Sequence, residues 1–304
     1  MNSMDIPPIT VVVSTRNRGD GIVKTVETIL SNDYPQFELR VIDQSEDEST
    51  ETSLLPFMKS PHFQYLRTVS KGVSTGRNLG INSTRNEIIA VTDDDCETPK
   101  GWLKEVAAAF SVDPRIGVIF GNALPGPHDP YAGFIPSYVR KDSFLARSIH
   151  EKHRVEGISA CMGLRRSVWQ VLGGFDERLG TGTSFRSAEE VDFAIRTLLA
   201  GYFVYETPNV AIIHHGFRTR EQSLTLIHGY YYGTGAMFAK HIKCGHWPIV
   251  PLLMHLGLRW LLWGSPVLAG IGKNQHRLLR LTSFIKGFVA GSFTATDRKK
   301  CQFI

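Results

Sequence analysis

Residues 87–95 have the sequence EIIAVTDDD, an apolar run that ends in three consecutive acidic residues. Such a β-branched run predicts a strand that is buried on both faces. Similar runs precede it, ITVVVS at 9–14 and FELRVI at 37–42, with helix-period residues between them. Buried strands joined by crossover helices indicate a parallel sheet covered on both faces. Because ligands bind at the carboxyl ends of strands in such sheets, the residues that follow these runs are candidates for a site.

The alternation of strands and helices continues along the chain. We expect a strand over 116–121 and a buried strand over 209–215, with a long, aperiodic loop over the site at 122–150. The predicted helices begin at capping residues, which are Ser74, Thr98 with Pro99 after it, and Ser187.

The composition is that of an ordinary globular protein. The 304 residues are 42 % hydrophobic and 21 % charged, which disfavours disordered, collagen-like and disulfide-stapled classes. The four cysteines show no zinc-module spacing, and reduced thiols in a cytosolic setting fit best. The N-terminus has no basic region ahead of its short apolar run, so we do not expect a signal peptide.

The charge is distributed unevenly. Residues 240–304 contain ten Lys or Arg and one acidic residue, whereas the rest of the chain has a small acidic excess. The segment 247–271 is almost wholly apolar but is interrupted by prolines and by Arg259. Tryptophans and the basic residues that follow favour helices lying in a membrane interface over a membrane span. Because apolar residues separate the charges, we expect no nucleic-acid partner.

Asp93, Asp94 and Asp95 are the strongest chemical signal. Three adjacent carboxylates at the end of a strand repel one another, and a divalent cation bridging to a phosphate relieves this repulsion. The alternative is a solvated acidic turn that caps a helix, but Thr98 already offers that cap.

Other polar residues follow the neighbouring strands. Asp43 accepts a hydrogen bond from a nucleotide base or ribose, or else caps a turn. The first strand is followed by STRN at 14–17, with no GxGxxG or P-loop pattern, which counts against a dinucleotide-binding dehydrogenase and a P-loop enzyme. Arg77 either clamps a phosphate or faces solvent.

Glu189 and Glu190 begin a predicted helix at 188–200. One interpretation is a capping box in which Glu190 bonds back to Ser187, and the other makes one glutamate a general base. His214 and His215 close a strand, so one of them points to each face of the sheet.

Seven elements together resemble the family 2 glycosyltransferases: VVVSTRNR, VIDQS, KGVSTGRNLGIN, IIAVTDDDCETPKGWL, GGFDERLG, AEEVDFAIRTLLAGY and PNVAIIHHG. The resemblance implies the GT-A fold, a Rossmann-like mixed, mostly parallel sheet with helices on both faces, here followed by C-terminal apolar and basic helices. It places a catalytic domain at 1–220, with a nucleotide-binding half at 1–121 and an acceptor-side half at 122–220. Residues 221–304 would be a membrane-associated helical region.

The resemblance also implies roles for individual residues. Nucleotide-binding residues would be Ser14, Arg16, Asp43, Arg77, Asp93 and Asp94, with Asp43 reading the base and Arg77 contacting the diphosphate. Asp93 and Asp95 would form the DxD pair for Mg²⁺ or Mn²⁺, and His214 would complete the metal site. Glu190 would be the catalytic base, although the family's usual pair is Glu-Asp. The turn VIDQSEDEST also departs from the commoner Asp-Asn-Gly-Ser run.

These roles imply an inverting glycosyltransferase on the cytoplasmic face of the cell membrane. Its donor would be a nucleotide sugar, with uracil as the default base and thymidine as the alternative, and its acceptor would be a glycan or lipid-linked glycan of a surface polysaccharide. One alternative is a catalytically silent, membrane-attached subunit that binds nucleotide sugars. Another is a sugar nucleotidylyltransferase, which needs a glycine-rich basic loop after the first strand that STRNRGDG does not supply.

Overall fold

The computed structural model describes residues 6–263 and 276–304. The helices are α1 (Val23–Leu30), α2 (Ser49–Leu54), α3 (Val73–Asn82), α4 (Trp102–Ser111), α5 (Arg166–Leu172), α6 (Glu189–Leu199), α7 (Arg220–Lys243), α8 (Ile249–Trp263) and α9 (Arg277–Phe293). The strands are β1 (Ile9–Thr15), β2 (Phe37–Asp43), β3 (Phe63–Arg67), β4 (Ile88–Thr92), β5 (Cys96–Glu97), β6 (Ile116–Pro125), β7 (Gly133–Phe134), β8 (Phe144–Ala146), β9 (Met162–Arg165), β10 (Phe203–His214), β11 (Arg218–Thr219), β12 (Thr296–Asp297) and β13 (Gln302–Phe303).

The central sheet has the strand order β3-β2-β1-β4-β9-β6-β10-β5, and β8 pairs with β10. Strands β3, β2, β1 and β4 are mutually parallel, and β6 is parallel to β10. Strand β9 runs antiparallel between β4 and β6. The parallel arrangement predicted from the buried runs holds for β1 to β4, and the mixed, mostly parallel sheet implied by the family resemblance is confirmed.

Strand β1 shows why the sheet is covered on both faces. Val11 and Val13 lie in one hydrophobic cluster, and Val12 lies in the other. Successive side chains of a strand point to opposite faces, so an unbroken apolar run requires a core on each side.

Helix α3 packs unusually close to β1 because it carries glycines on the facing side. A Cβ atom on Gly76 would lie 2.1 Å from Ser14 Oγ, and one on Gly80 would lie 2.5 Å from Val12 Cγ1. These distances are far below van der Waals contact, so only glycine fits at this spacing. The close approach holds Arg77 near the carboxyl ends of the strands.

Two predicted helix starts are wrong. Helix α3 begins at Val73 with Gly72 at its N-cap, while the Ser74 hydroxyl donates to the carbonyl oxygen of Leu179. Helix α4 begins at Trp102 instead of after Thr98, and the side-chain oxygen of Asn32 accepts from the Leu103 amide. In both places a residue distant in sequence supplies or takes the hydrogen bond, which local capping patterns do not show.

The segment 122–150 is more ordered than the predicted loop. Strand β6 continues to Pro125, and the short strands β7 and β8 follow. Asn122 and Arg140 exchange two hydrogen bonds, from Asn122 Nδ2 to the Arg140 carbonyl at 3.0 Å and from the Arg140 amide to Asn122 Oδ1 at 2.8 Å. Between these strands, residues 126–132 and 135–143 are mostly irregular, so the predicted loop holds in part and is interrupted by short strands.

The C-terminal helices pack on the preceding part of the chain and on each other. Helices α7 and α9 cross in close contact, since a Cβ on Gly235 would lie 2.1 Å from the Phe284 carbonyl oxygen. In α8, Arg259 forms an ion pair with Glu156, which explains a charge within this apolar segment. Within the part of the chain that the structure describes, no helix is both long and apolar enough to cross a membrane. Residues 264–271 of the predicted interfacial segment lie outside the described residues.

Candidate active site

The parallel strands bring the predicted site residues to one edge of the sheet. Thr15 at the end of β1 lies opposite Asp43 at the end of β2, and Val13 lies opposite Thr92 at the end of β4. The loops that follow these strands therefore meet, as expected for a ligand site in a parallel sheet.

Arg18 lies among the acidic residues that follow β4. Its Nε atom is 3.3 Å from Asp94 Oδ1, and its Nη2 atom is 2.6 Å from Asp95 Oδ2. Asp94 also accepts a 2.6 Å hydrogen bond from the Thr15 hydroxyl. These contacts stabilise the ionised form of Asp94, but burial has the larger effect and raises the pKa of Asp94 to about 6. The acidic run is thus partly neutralised by an arginine that the sequence did not indicate.

Asp95, Cys96 and His214 form a group of possible metal ligands. One ligand atom from each lies within 4.8 Å of the others, and His214 Nε2 is 3.2 Å from Asp95 Oδ1. Burial alone would raise the pKa of Asp95, but the hydrogen bond and charge of His214, together with Arg18, lower this pKa to about 2. Asp95 is therefore a carboxylate, the form that binds a divalent cation.

The surroundings of His214 fit a metal ligand. Its Nδ1–H donates to the Pro136 carbonyl oxygen at 2.7 Å, so Nε2 is the nitrogen that faces Asp95, and a cation bound there would take the place of the Nε2 proton. Such a backbone contact orients a ligating imidazole. A Cβ on Gly216 would lie 2.6 Å from His214 Nε2 and 3.0 Å from Asp95 Oδ2, so glycine keeps this space open. His215 instead pairs with Glu97 at 2.8 Å, which identifies His214 as the histidine that faces the site.

Arg77 connects the acidic run with helix α6. The guanidinium is buried; Nη2 lies 2.9 Å from Asp93 Oδ1 and Nη1 lies 2.9 Å from Glu189 Oε1. The Ser159 hydroxyl is a further partner of Nη2 at 3.0 Å. Asp93 thus points towards Arg77, whereas Asp95 points towards His214.

Glu189 and Glu190 occupy the first turn of α6, whose N-cap is Ala188 with a φ of 76°. The capping-box interpretation is wrong, because the Ser187 hydroxyl donates to the carbonyl oxygens of Gly229 and Tyr230 in α7. Glu189 is buried and forms an ion pair with Arg77. The Glu190 side chain is only partly buried. Burial and the neighbouring Glu189 carboxylate raise the pKa of Glu190 above its usual range.

The residues at the ends of β1 and β2 form a second polar group. Asp43 is fully buried; its oxygens accept from the Tyr65 hydroxyl at 2.6 Å and from the Ser45 amide at 2.8 Å. The Ser14 hydroxyl donates to Gln44 Oε1 at 3.3 Å, while Arg16 pairs with Glu46 at 2.6 Å. These loops are preorganised by their own hydrogen bonds.

Several participants could not be assigned from the sequence. Arg18 stands in the same STRNR run as Arg16, so the run itself was the available signal. Cys96 directly follows the acidic run, but Ser159 lies far along the chain and carries no local pattern.

Residues 10–172 match the family model described as Glycosyl transferase family 2. Glycosyltransferase AglE of Haloferax volcanii is 23 % identical over 205 residues, which is 65 % of this chain and 63 % of AglE. A poly-β-1,6-N-acetyl-D-glucosamine synthase of Staphylococcus epidermidis is 23 % identical over 115 residues, which is 38 % of this chain and 28 % of the synthase. The chain thus spans less than two thirds of these relatives, and relatives with roles in polysaccharide synthesis are among its matches.

Solved structures show the same fold. Mannosyltransferase PcManGT from Pyrobaculum calidifontis, in complex with GDP-Man and Mn²⁺, superposes with a TM-score of 0.58 at 17 % identity, covering 94 % of this chain and 86 % of that chain. S. aureus TarS 1–349 in complex with UDP superposes with a TM-score of 0.56 at 14 % identity, covering 94 % of this chain and 90 % of that chain. The sheet and its flanking helices are those of GT-A glycosyltransferases. The chain therefore belongs to glycosyl transferase family 2.

Proposed function

We propose that this glycosyltransferase is inverting and metal-dependent, and that it moves a sugar from a nucleoside diphosphate to a hydroxyl of a glycan or lipid-linked acceptor. The observation that carries the proposal is the position of Arg77, which binds Asp93 of the acidic run and Glu189 of α6 at once. This link supports a single site that contains both the candidate metal ligands and the candidate base Glu190.

The donor would lie along the carboxyl ends of β1, β2 and β4. Ser14, Arg16 and Asp43 would bind the nucleoside, and the charges of Arg77 and Arg18 would favour the diphosphate. Each oxygen of Asp43 accepts one hydrogen bond from its neighbours and has a second lone pair, but the carboxylate is fully buried, so a base N–H would reach it only after the surrounding loops shift. UDP is the nucleotide that we propose first. Because the structural neighbours are complexes with UDP and with GDP-Man, GDP is the second nucleotide to test.

Asp95 and His214 would hold Mg²⁺ or Mn²⁺, with Asp93 and Asp94 beside them. A carboxylate with an oriented imidazole suits Mn²⁺, and a structural neighbour contains Mn²⁺. When bound, the cation neutralises the charge that develops on the leaving diphosphate. Arg18, which contacts both Asp94 and Asp95, holds these carboxylates in place.

Glu190 would act as the general base. Its raised pKa matches the task of taking a proton from an acceptor hydroxyl near neutral pH. As the proton passes to the Glu190 carboxylate, the acceptor oxygen forms its bond to the anomeric carbon, and the bond to the diphosphate breaks on the opposite face. Attack from the opposite face inverts the configuration at that carbon.

Calorimetric titration with UDP and GDP, with Mn²⁺ or with chelator, tests the donor site. We expect metal-dependent binding of one nucleotide that is lost in Asp95→Ala and retained in Glu97→Gln, a control next to the site. Binding that is equally tight in chelator and in Asp95→Ala would refute the metal assignment. Failure of both nucleotides to bind under every condition would refute the donor site itself.

We also propose that the C-terminal helices rest on the cytoplasmic surface of a membrane. Helix α9 exposes an apolar stripe at helical spacing that consists of Leu278, Leu281, Ile285, Val289 and Phe293. Basic residues accompany the stripe, and such a face binds anionic lipid surfaces. Sedimentation with anionic vesicles should be lost in Ile285→Glu and kept in Val112→Glu, which changes an exposed apolar residue at the end of α4, outside the stripe. Equal sedimentation of both variants would refute the proposal.

A further inference from the structure

Three metal-binding side chains, His241, His246 and Cys301, meet at the C-terminal end of α7, away from the active site, and Cys244 follows the same helix as a fourth candidate ligand whose thiol would turn towards them. The imidazole Nδ1 atoms of His241 and His246 are 2.9 Å apart, and Cys301 Sγ lies 3.6 Å from His241 Nδ1. One ligand atom from each of these three residues lies within 4.8 Å of the others. The thiols of Cys244 and Cys301 are both free.

We propose that His241, Cys244, His246 and Cys301 bind a structural Zn²⁺ ion in a Cys₂His₂ site. Two thiolates and two imidazoles in a closed, tetrahedral arrangement are typical of structural zinc. The spacing along the chain did not indicate this, because three ligands lie within 241–246 and Cys301 belongs to the distant C-terminal hairpin of β12 and β13.

The distances agree with a tetrahedral ion. With ordinary zinc bond lengths, a nitrogen and a sulfur ligand lie about 3.6 Å apart and two nitrogens about 3.3 Å apart. The separation of His241 Nδ1 and Cys301 Sγ matches the first value. The two histidine nitrogens are 2.9 Å apart and need to separate by only a few tenths of an ångström. His246 is partly exposed and follows the helix, so its ring has room for this shift.

The second nitrogen of His241 is also arranged as in metal sites. Its Nε2 atom lies 3.0 Å from Asp192 Oδ1, a buried carboxylate of α6. A ligating imidazole usually donates its other N–H to a carboxylate, which fixes the tautomer and directs the free lone pair towards the metal. Here that lone pair is on Nδ1, the atom that faces His246 and Cys301.

The local charges are suited to two thiolates and one divalent cation. Asp176 and Asp192 are already balanced by the buried cations Lys240 and Arg196. A pair of uncompensated thiolates would leave two negative charges in this interior, which is costly. Zn²⁺ with Cys244 and Cys301 as thiolates is neutral, so the ion adds no net charge.

The proposed site would join three parts of the chain. Cys301 belongs to the hairpin whose Phe303 amide donates to Asp176 at 2.9 Å, and His241 lies in the last turn of α7. Through Asp192 the site reaches α6, two residues after Glu190. The ion would therefore hold the C-terminal hairpin against the helix that carries the candidate base.

The first test is metal analysis of the full chain purified under reducing conditions without chelator. We expect about one zinc per chain after dialysis, as for a closed structural site. Cys301→Ser and His246→Ala should each lose most of this zinc, and the partly exposed His246 makes the second variant safe for folding. Asp95→Ala and Cys161→Ala are the controls that should retain it, which separates this site from the active site and from other thiols.

The visible absorption of bound Co²⁺ shows the coordination geometry and whether thiolates are among the ligands. Co²⁺ exchanged into the wild-type chain should give the intense visible bands of tetrahedral coordination and a thiolate charge-transfer band. Cys244→Ser should reduce the charge-transfer band to about half, since one of two thiolates remains. Weak, octahedral-type bands would overturn the proposal. The proposal would also be overturned by a zinc content below about a tenth of an ion per chain. A Cys244–Cys301 disulfide found in non-reduced peptides would overturn it too.

Discussion

Exchanging the two neighbouring glutamates of α6 for glutamine, one at a time, separates catalysis from structure. Glu190→Gln removes the proposed base and leaves the Arg77 ion pairs intact. Loss of a general base costs about 10²- to 10⁴-fold in rate, which corresponds to about 3–5 kcal/mol in the barrier. Nucleotide binding should be unchanged, because Glu190 is assigned to the acceptor hydroxyl.

Glu189→Gln should have the opposite profile. The amide oxygen still accepts from Arg77 Nη1, but a charge-assisted hydrogen bond becomes a neutral one, which costs about 1–2 kcal/mol of folding stability. Arg77 keeps its ion pair with Asp93, so the site remains assembled. The rate should fall by less than about tenfold.

The pH dependence gives a second, independent measurement. Burial and the charge of Glu189 raise the pKa of Glu190, and a base acts only when deprotonated. The wild-type kcat/KM should therefore be lost as the pH falls through a value above the ordinary glutamate pKa of about 4.3. In Glu189→Gln the repelling charge is gone, so the acidic limb should move to lower pH.

The assay is the initial rate of nucleoside diphosphate release with the donor that calorimetry identifies, together with urea unfolding of each variant. Two outcomes would refute the reasoning. One is a loss of rate in Glu189→Gln as large as that in Glu190→Gln. The other is an acidic limb that stays at the same pH when Glu189 is replaced.

Three further predictions concern the supports of the site. Lys240→Met should lower the free energy of unfolding, measured with urea, by about 3–5 kcal/mol, because it leaves two fully buried carboxylates without their shared cation. The exposed control Lys286→Met should change this free energy by no more than about 0.5 kcal/mol. Equal effects of the two variants would contradict this account. Gly76→Ala should lower the melting temperature and weaken nucleotide binding, since its methyl group would lie 2.1 Å from the Ser14 hydroxyl; unchanged nucleotide affinity in calorimetry would show that Ser14 does not contact the ligand. Tyr65→Phe should destabilise the fold by about 1–3 kcal/mol in urea unfolding by leaving the buried carboxylate at the end of β2 with one donor fewer, and an unchanged midpoint would count against this.

The sequence predicted the sheet because its evidence was local. The β-branched runs of β1, β2 and β4 require burial on two faces, and the rules of parallel sheets then place Asp43 and Asp93 at one edge. Family resemblance ordered the remaining elements. These inferences needed no knowledge of which side chains touch.

The helix starts and the C-terminal cluster could not be predicted in this way. Asn32 bonds the first turn of α4, and the Ser187 hydroxyl bonds carbonyl groups of α7, so neither start follows from neighbouring residues. Cys301 meets His241 only because a hairpin folds back over the end of α7. Each contact depends on tertiary packing, which a capping or spacing pattern does not contain.

Helix α6 explains how the C-terminal region can influence the chemistry of the active site. Glu189, Asp192 and Arg196 lie three and four residues apart, so their side chains follow one another along one face of the helix. The first is bound by Arg77 and the second by Lys240, while Arg196 donates to carbonyl oxygens of residues 172 and 174 after binding Asp192. Every charge on this buried face thus has a partner on a different part of the chain. Because an unpaired charge would be costly here, these ion pairs hold the helix in one orientation, and that orientation sets the position of Glu190, the proposed base.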